Sequence, residues 1–335
     1  MSKIAVMGAG AWGTALAINL AERGGHSVMM WAHDRALAEA IRTKRENTAF
    51  LPGFPLPSSV AVTGYPGEAL KNAEIVLSVM PSHHVRESYA AFAPHLREGQ
   101  VLVSATKGIE DGSGCRMSEA IAAVLAEHEL ELPIAVLSGP SFAQEVANGS
   151  PTAVTIACRD IQIASHMQKE FAGPTLRLYT NEDVTGVELG GALKNVIAVA
   201  AGAVSGLELG HNSTAALVTR GIAEMTRLAV ACGGRRETLA GLSGLGDLVL
   251  TCTGSLSRNR WLGTELGKGK SLSEALNGLH GKVAEGVRST SAALELAARH
   301  HVEMPIAEQV HAILYQGKHP SEAMQDLMGR PGRDE

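Results

Sequence analysis

KIAVMGAGAWGTALA, residues 3–17, is the stretch on which the reading of this chain turns. Ile4–Met7 is a short unbroken apolar run of the kind that forms a strand buried on both faces. It leads into Gly8-Ala9-Gly10-Ala11-Trp12-Gly13, and a helical pattern follows from Thr14. Strand, GxGxxG turn and helix in that order are the context in which the motif has physical meaning. Gly8 permits a tight turn, Gly10 leaves the backbone open to a pyrophosphate, and Gly13 lets helix and strand pack closely. The free N–H groups and positive dipole end of the helix then face the phosphates. The alternative is a glycine-rich turn that binds nothing.

The next apolar run, Ser27–Trp31, reads as the second strand and ends Trp31-Ala32-His33-Asp34-Arg35. A carboxylate at this place holds the ribose hydroxyls of NAD, and Asp34 lies 21 residues past Gly13. His33 and Arg35 flank it, and a cation here pairs with the 2′-phosphate of NADP. Both NAD and NADP therefore stand as expected cofactors. The competing reading makes Asp34 the cap of the following helix and leaves His33 solvated.

Further strands are expected at Ile75–Val79, Val101–Ala105 and Ile134–Leu137. Helical spacing lies between them at Thr14–Arg23, Arg35–Arg45, His83–Leu96 and Met117–Ala126. Such alternation implies a parallel sheet covered on both faces, which Ala153–Ala157 and Leu176–Thr180 would extend. After Asn181 the texture changes. Helical runs follow at Val184–Val204, Thr214–Ala231, Arg258–Leu266, Ser289–Arg299 and Ala307–Tyr315. The expected organisation is an α/β doubly wound Rossmann domain over residues 1–182 and an all-α domain over 183–335.

The bulk numbers agree with a two-domain globular chain of 335 residues. A net charge of −5 with interspersed signs and no Lys/Arg block argues against nucleic acid as partner. The four cysteines form no CxxC pair and no Cys/His cluster with zinc spacing, so free thiols and no metal are expected. The N-terminus runs straight into a strand without a signal-peptide pattern. The longest apolar stretch, Val196–Val204, is shorter than the ~20 residues of a membrane span. A cytoplasmic protein without membrane insertion is expected.

Reduction of a carbonyl needs a held hydride donor, a proton donor at the oxygen, and a counter-charge for any charged handle on the substrate. Three segments offer such groups. Lys107, in Ala105-Thr106-Lys107-Gly108, follows a strand whose C-terminus faces the ligand crevice of such a sheet; otherwise it is a surface lysine. Lys194 follows Gly190-Gly191 in a long helix. Paired glycines there cost roughly 1–2 kcal/mol against alanine, which points to close approach by the nicotinamide ring or by another helix. Partial burial would suit Lys194 to proton transfer, and Asp247 in Gly244-Leu245-Gly246-Asp247 could orient it. A helix opening near Ser257-Arg258-Asn259 would aim its amides and Arg258 at a phosphate, unless Ser257 is only a cap. In Pro81-Ser82-His83-His84, capping by Ser82 is the expected role.

With these residues in view, the chain closely resembles bacterial NAD(P)-dependent glycerol-3-phosphate dehydrogenases over almost its whole length. The matching segments are GAGAWGTALA (8–17), NTAFLPG (47–53), ATKGIE (105–110), SGPSFAQEVA (138–147), VELGGALKNVIAVAAG (187–202), TRGIAEMTRL (219–228), GLGDLVLTCT (244–253) and SRNRWLG (257–263). The resemblance implies a Rossmann domain, then a helical domain like the C-terminal domain of 6-phosphogluconate dehydrogenase, with the active site in the cleft between them. It implies Lys194 as proton donor and acceptor. Trp12, Lys107, Ala143, Arg258, Val283 and Glu285 would contact the cofactor, with His33 beside the adenosine ribose. Lys107, Gly139, Ser141, Lys194, Asp247, Ser257, Arg258 and Asn259 would surround a small phosphorylated substrate. Ala11 departs from the family's frequent serine, which removes one hydroxyl near the pyrophosphate. A homodimer whose product feeds glycerophospholipid synthesis is implied as well.

Two other readings stay open at this point. One is a related dehydrogenase of a hydroxy acid such as 6-phosphogluconate, against which the Ser257-Arg258-Asn259 segment argues. The other is a dinucleotide-sensing regulator without catalysis, against which the presence of Lys107, Lys194 and Asp247 together argues.

Overall fold

The computed structural model describes residues 2–22, 26–279 and 283–332. The expected end of the first helix at Arg23 lies outside the described residues. By contacts the chain forms two units. One holds residues 1–107 and 115–187, and the other holds 108–114 and 188–335.

The first unit is built on β1 (Lys3–Met7), α1 (Ala11–Glu22), β2 (Ser27–Trp31), α2 (Arg35–Lys44), β3 (Val60–Thr63), α3 (Pro66–Leu70), β4 (Ile75–Ser78), α4 (Val85–Phe92), β5 (Val101–Ser104), α5 (Met117–Glu127), β6 (Ile134–Ser138), α6 (Ala143–Ala147), β7 (Thr152–Ala157), α7 (Ile161–Phe171) and β8 (Leu176–Asn181). The eight strands run in the order β3-β2-β1-β4-β5-β6-β7-β8. All neighbours are parallel except β6 and β7. The order reverses between β1 and β4, the switch point at which ligands bind outside the strand C-termini of such sheets. Two apolar clusters lie on the two faces of the sheet. Val6 and Leu77 point into one, Ala5 and Val76 into the other, as the period of two along a strand requires.

Some elements differ from the expectation for identifiable reasons. β3 was not expected, because four residues at the sheet edge carry too short a pattern to stand out from Pro57-Ser58-Ser59 and Gly64. The single helix expected over 83–96 is three pieces: a 3-10 turn at Ser82–His84, α4, and a second 3-10 turn at Ala93–His95. Pro94 has no N–H to continue the α ladder. Ser82 stands inside the first turn, and Pro81 precedes it. α7 begins where Asp160 accepts the Gln162 N–H at 2.8 Å.

The second unit contains α8 (Val184–Gly206, whose first turn clusters with the first unit), α9 (Gly210–Ala231), α10 (Arg236–Leu239), a π-helical segment at Leu242–Gly246, α11 (Asp247–Thr253), α12 (Arg258–Gly267), α13 (Leu272–Asn277), α14 (Glu285–Arg299), α15 (Pro305–Tyr315) and α16 (Pro320–Met328). α8 is long and apolar enough to cross a membrane, but its apolar window is wholly buried. It packs backbone to backbone on α12. A Cβ on Gly202 would lie 2.0 Å from the Arg260 carbonyl oxygen, and one on Gly263 would lie 1.9 Å from that of Val199. This crossing sets the spacing between Lys194-Asn195 on α8 and Arg258-Asn259 on α12. Segment 108–114 joins the same unit: Ile109 enters the helical core, and Arg299 donates to the carbonyls of Gly112 and Ser113.

Glu224 on α9 is 1% exposed and accepts the N–H groups of Ile306 and Ala307 in the first turn of α15. Burial raises its pKa from 4.5 to about 7; the two N–H bonds and Arg227 pull it down, and Glu308 pushes it up. A raised carboxylate pKa stabilises the fold fully below about 4.5 and loses that contribution as pH rises through about 7. Its size is about 3 kcal/mol. Glu224→Gln should therefore gain stability relative to wild type between pH 4.5 and 7.5. Urea unfolding of both proteins across that range reads the difference, and a pH-independent difference contradicts it.

Candidate active site

Gly8 ends β1 with φ of +136°, and its N–H donates to the Trp31 carbonyl at 3.1 Å. A Cβ on Gly8 would stand 2.1 Å from the Val79 carbonyl oxygen, and one on Gly13 would stand 2.0 Å from that of Gly8. These two glycines are required by the chain's own packing. Gly10 is different: a Cβ there meets nothing within 4 Å. The space beside Gly10 is open, as the cofactor reading requires. Ala11 and Trp12 begin α1, both half-buried. Asn47, fully buried, braces the loop by donating to the Ala9 carbonyl and to Thr14 Oγ1, each at 2.8 Å. Asn47 was not singled out from the sequence by itself, although it opens NTAFLPG, one of the segments that carry the family resemblance.

At the end of β2, Asp34 Oδ1 accepts the Ala36 N–H at 2.8 Å and caps α2. The capping role is thus present for this residue. His33 is exposed, with its ring edge-on to Trp31 at 5.7 Å. Arg35 lies over the ring of Tyr65, 4.5 Å from its centroid.

Three of the expected substrate residues meet beyond the C-termini of β5 and β6. Lys107 Nζ and the Ser141 hydroxyl both donate to the Gly139 carbonyl, each at 3.0 Å. Ala143 opens α6 and packs against the sheet core.

In the helical unit Lys194 is 7% exposed and Asp247 is 0% exposed. Lys194 Nζ donates to Asp247 Oδ1 in an ion pair, and to Thr251 Oγ1 at 3.0 Å. The Thr251 hydroxyl in turn donates to the Asp247 carbonyl at 2.6 Å. The expected burial of the lysine comes with an ion pair to a carboxylate that is also buried. Thr251 was missed, although it stands one turn after Asp247 on the same helix face. The close approach at Gly190 comes from the π-helical segment: a Cβ there would lie 2.6 Å from the Ser243 carbonyl oxygen. Burial raises the neighbouring Cys252 thiol to about 12, with Lys194 opposing that shift, so it stays protonated.

Ser257 caps α12, its Oγ accepting the Arg260 N–H at 3.2 Å. Asn259 donates to Asn195 Oδ1 at 2.8 Å and accepts the Gly286 N–H at 2.9 Å. It thereby ties α12 to α8 and to the start of α14. Arg258 reaches solvent. Surrounding protein lowers its pKa while the Glu285 carboxylate, opening α14, opposes the shift. Val283 is exposed just ahead of Glu285 and, like Ala143, takes no part in these polar clusters. Among the described residues no group of three or more His, Cys, Asp or Glu side chains could hold a metal ion.

Comparison with known proteins adds the family. The model of the NAD-dependent glycerol-3-phosphate dehydrogenase N-terminus matches residues 3–164, and that of the C-terminus matches residues 183–325. The chain is 64% identical to glycerol-3-phosphate dehydrogenase [NAD(P)+] of Acidobacterium capsulatum, covering 100% of both chains. It is 59% identical to the protein of the same name from Koribacter versatilis, over 100% of this chain and 99% of that one. Among solved structures, glycerol-3-phosphate dehydrogenase from Coxiella burnetii superposes with a TM-score of 0.93 at 39% identity, covering 98% of this chain and 99% of that one. With its sheet order, glycine turn and paired lysine accounted for, this chain belongs to the NAD-dependent glycerol-3-phosphate dehydrogenase family.

Proposed function

We propose that this chain interconverts dihydroxyacetone phosphate and sn-glycerol 3-phosphate with NAD(P)H, with Lys194 as proton donor in reduction and acceptor in oxidation. The observation that carries the reading is the Lys194 ammonium, buried and held between Asp247 and Thr251. Such a lysine is a positioned general acid rather than a mobile surface charge.

The cofactor fits the residues present. The open space at Gly10, the α1 N-terminus and the Arg35 cation match a pyrophosphate and a 2′-phosphate. Gly8, Gly10, Ala11, Trp12 and Gly13 would hold it, with His33, Arg35, Lys107, Ala143, Arg258, Val283 and Glu285 as further contacts. When bound, it supplies the hydride that C2 of the ketone accepts. Lys194 Nζ gives its proton to the C2 oxygen as charge develops there. Asp247 and Thr251 keep Nζ aimed. Lys107, anchored on the Gly139 carbonyl, would be a further catalytic and substrate contact together with Gly139 and Ser141. Ser257, Arg258 and Asn259 receive the substrate phosphate. Residues 1–182 bind the dinucleotide, and 183–335 carry the substrate and the proton donor.

We further propose a cytoplasmic homodimer running toward glycerol 3-phosphate for glycerophospholipid synthesis. The family resemblance supports this. Loss of reduced-cofactor absorbance with dihydroxyacetone phosphate, but not with the keto forms of larger hydroxy acids, tests the substrate. Arg258→Ala should raise KM for dihydroxyacetone phosphate. A charged hydrogen bond is worth roughly 1.5–3 kcal/mol, or about 10- to 150-fold. Unphosphorylated dihydroxyacetone should be poor already and hardly worse in the variant. NADPH affinity must be measured in the same variant. Equal losses for both ketones at saturating cofactor remove Arg258 from the phosphate site.

A further inference from the structure

The end of β2 raises a question that the glycine turn does not answer. Asp34, the residue placed to hold ribose hydroxyls, is engaged as the α2 cap. Arg35, the next residue, has no carboxylate within ion-pairing distance among the described residues. Its guanidinium lies instead over Tyr65, 4.5 Å from the ring centroid, although the ring is 54% exposed. The carboxylate adjacent in sequence, Asp34, faces the Ala36 N–H instead.

The local chain is built to keep Tyr65 under Arg35. The Ala32 N–H donates to the Thr63 carbonyl at 3.0 Å, which joins the ends of β2 and β3. Thr63 Oγ1 accepts the Tyr65 N–H at 3.1 Å and donates to the Glu68 carboxylate, which fixes the turn that carries Tyr65. Gly64 makes room for the arginine: a Cβ there would stand 2.9 Å from Arg35 Cγ and 3.2 Å from Arg35 Cα. The arginine stem therefore passes over Gly64 and its head rests on Tyr65.

We infer that Tyr65 is a specificity-determining residue, whose ring holds the Arg35 guanidinium at the end of β2 to receive the 2′-phosphate of NADP(H). The 2′-hydroxyl or 2′-phosphate of a dinucleotide bound along β1, α1 and β2 comes to this strand end. A ring face attracts the guanidinium and leaves its N–H edge to phosphate oxygens. An arginine already stacked loses less freedom on binding than one sampling solvent. Tyr65 touches no cofactor in this scheme; it acts through Arg35 and is a positioning residue. The inference rests on the reading of the GxGxxG turn as the dinucleotide site.

The test is direct titration of the whole protein with NADPH and with NADH, followed by fluorescence, for wild type, Tyr65→Leu, Tyr65→Phe and Arg35→Ala. Tyr65→Leu should weaken NADPH about two- to fivefold, the size of an exposed cation–π contact, and leave NADH unchanged. Tyr65→Phe keeps the ring and should bind both cofactors as wild type does. NADH is the internal control, because a merely structural role would weaken both. Equal weakening of both cofactors by Tyr65→Leu overturns the inference, and so does unchanged or tighter NADPH binding, which would mean that the ring holds Arg35 away. If Arg35→Ala lowers NADPH affinity selectively while Tyr65→Leu does not, only Tyr65 is excluded. If Arg35→Ala leaves the NADPH-to-NADH ratio unchanged, the 2′-phosphate assignment of Arg35 falls with it.

Discussion

Lys194→Ala should lower kcat for ketone reduction by about 10²–10⁴-fold or more while NADPH still binds, since positioned general acid catalysis contributes on that order. The substitution also leaves Asp247, 0% exposed, as a buried carboxylate without its cation. Breaking such a pair typically costs ~3–5 kcal/mol, so lost activity could be mistaken for lost fold. The double variant Lys194→Ala/Asp247→Asn separates the two. It removes the stranded charge and should recover stability relative to the single variant while remaining inactive. Thermal unfolding, NADPH titration and turnover on the same preparations give all three readouts. A single variant within a few-fold of wild-type turnover would falsify the assignment of Lys194 as proton donor.

Gly10→Val should produce a folded protein that no longer binds the dinucleotide. Of the three glycines in the turn, only Gly10 has open space where a side chain would go; Cβ atoms on Gly8 and Gly13 would collide with backbone oxygens at about 2 Å. Valine at position 10 thus costs the free protein little and instead fills the approach to the α1 N-terminus. Losing two charged N–H contacts to a pyrophosphate costs roughly 3–6 kcal/mol, which is more than about a hundredfold in affinity. Gly8→Ala and Gly13→Ala are the contrasting controls, because they should lower the melting temperature. Gly10→Val with wild-type NADPH affinity shows that the pyrophosphate does not pass Gly10.

The strands flanking the nucleotide turn were legible because each is a continuous apolar run, and burial on both faces of a parallel sheet demands that pattern. The change to a helical second half was legible for the same kind of reason, since period 3.6 replaces short apolar runs after Asn181. β3 was not, because four residues at a sheet edge obtain their strand conformation from pairing with β2 rather than from their own pattern. The break of the helix expected over 83–96 was present in the sequence as Pro94 and was outweighed by the apolar spacing around it.

The candidate site divides in the same way. Lys107, Lys194, Asp247, Arg258 and the three glycines could be named from residue type and local context, because each stands at a strand end, a helix start or a break in an apolar run. Asp247 could be offered as a partner for Lys194, but Thr251 and the contacts themselves could not. That Lys194 meets Asp247 and Thr251, 53 and 57 residues further on, depends on how α8 and α11 pack. That Asn259 ties Asn195 to Gly286 depends on the backbone contact between α8 and α12 and on the start of α14. The choice between cap and ribose ligand for Asp34 was likewise open in the sequence, where both roles want the same residue at the same place; only the fold shows its oxygen on the Ala36 N–H. By itself the sequence determined the local geometry: the phosphate-binding turn, the alternating strands and helices, and the residue types able to carry charge or a proton. Tertiary structure alone decided which of those groups are buried together, because burial and pairing arise from contacts between segments that no local pattern encodes.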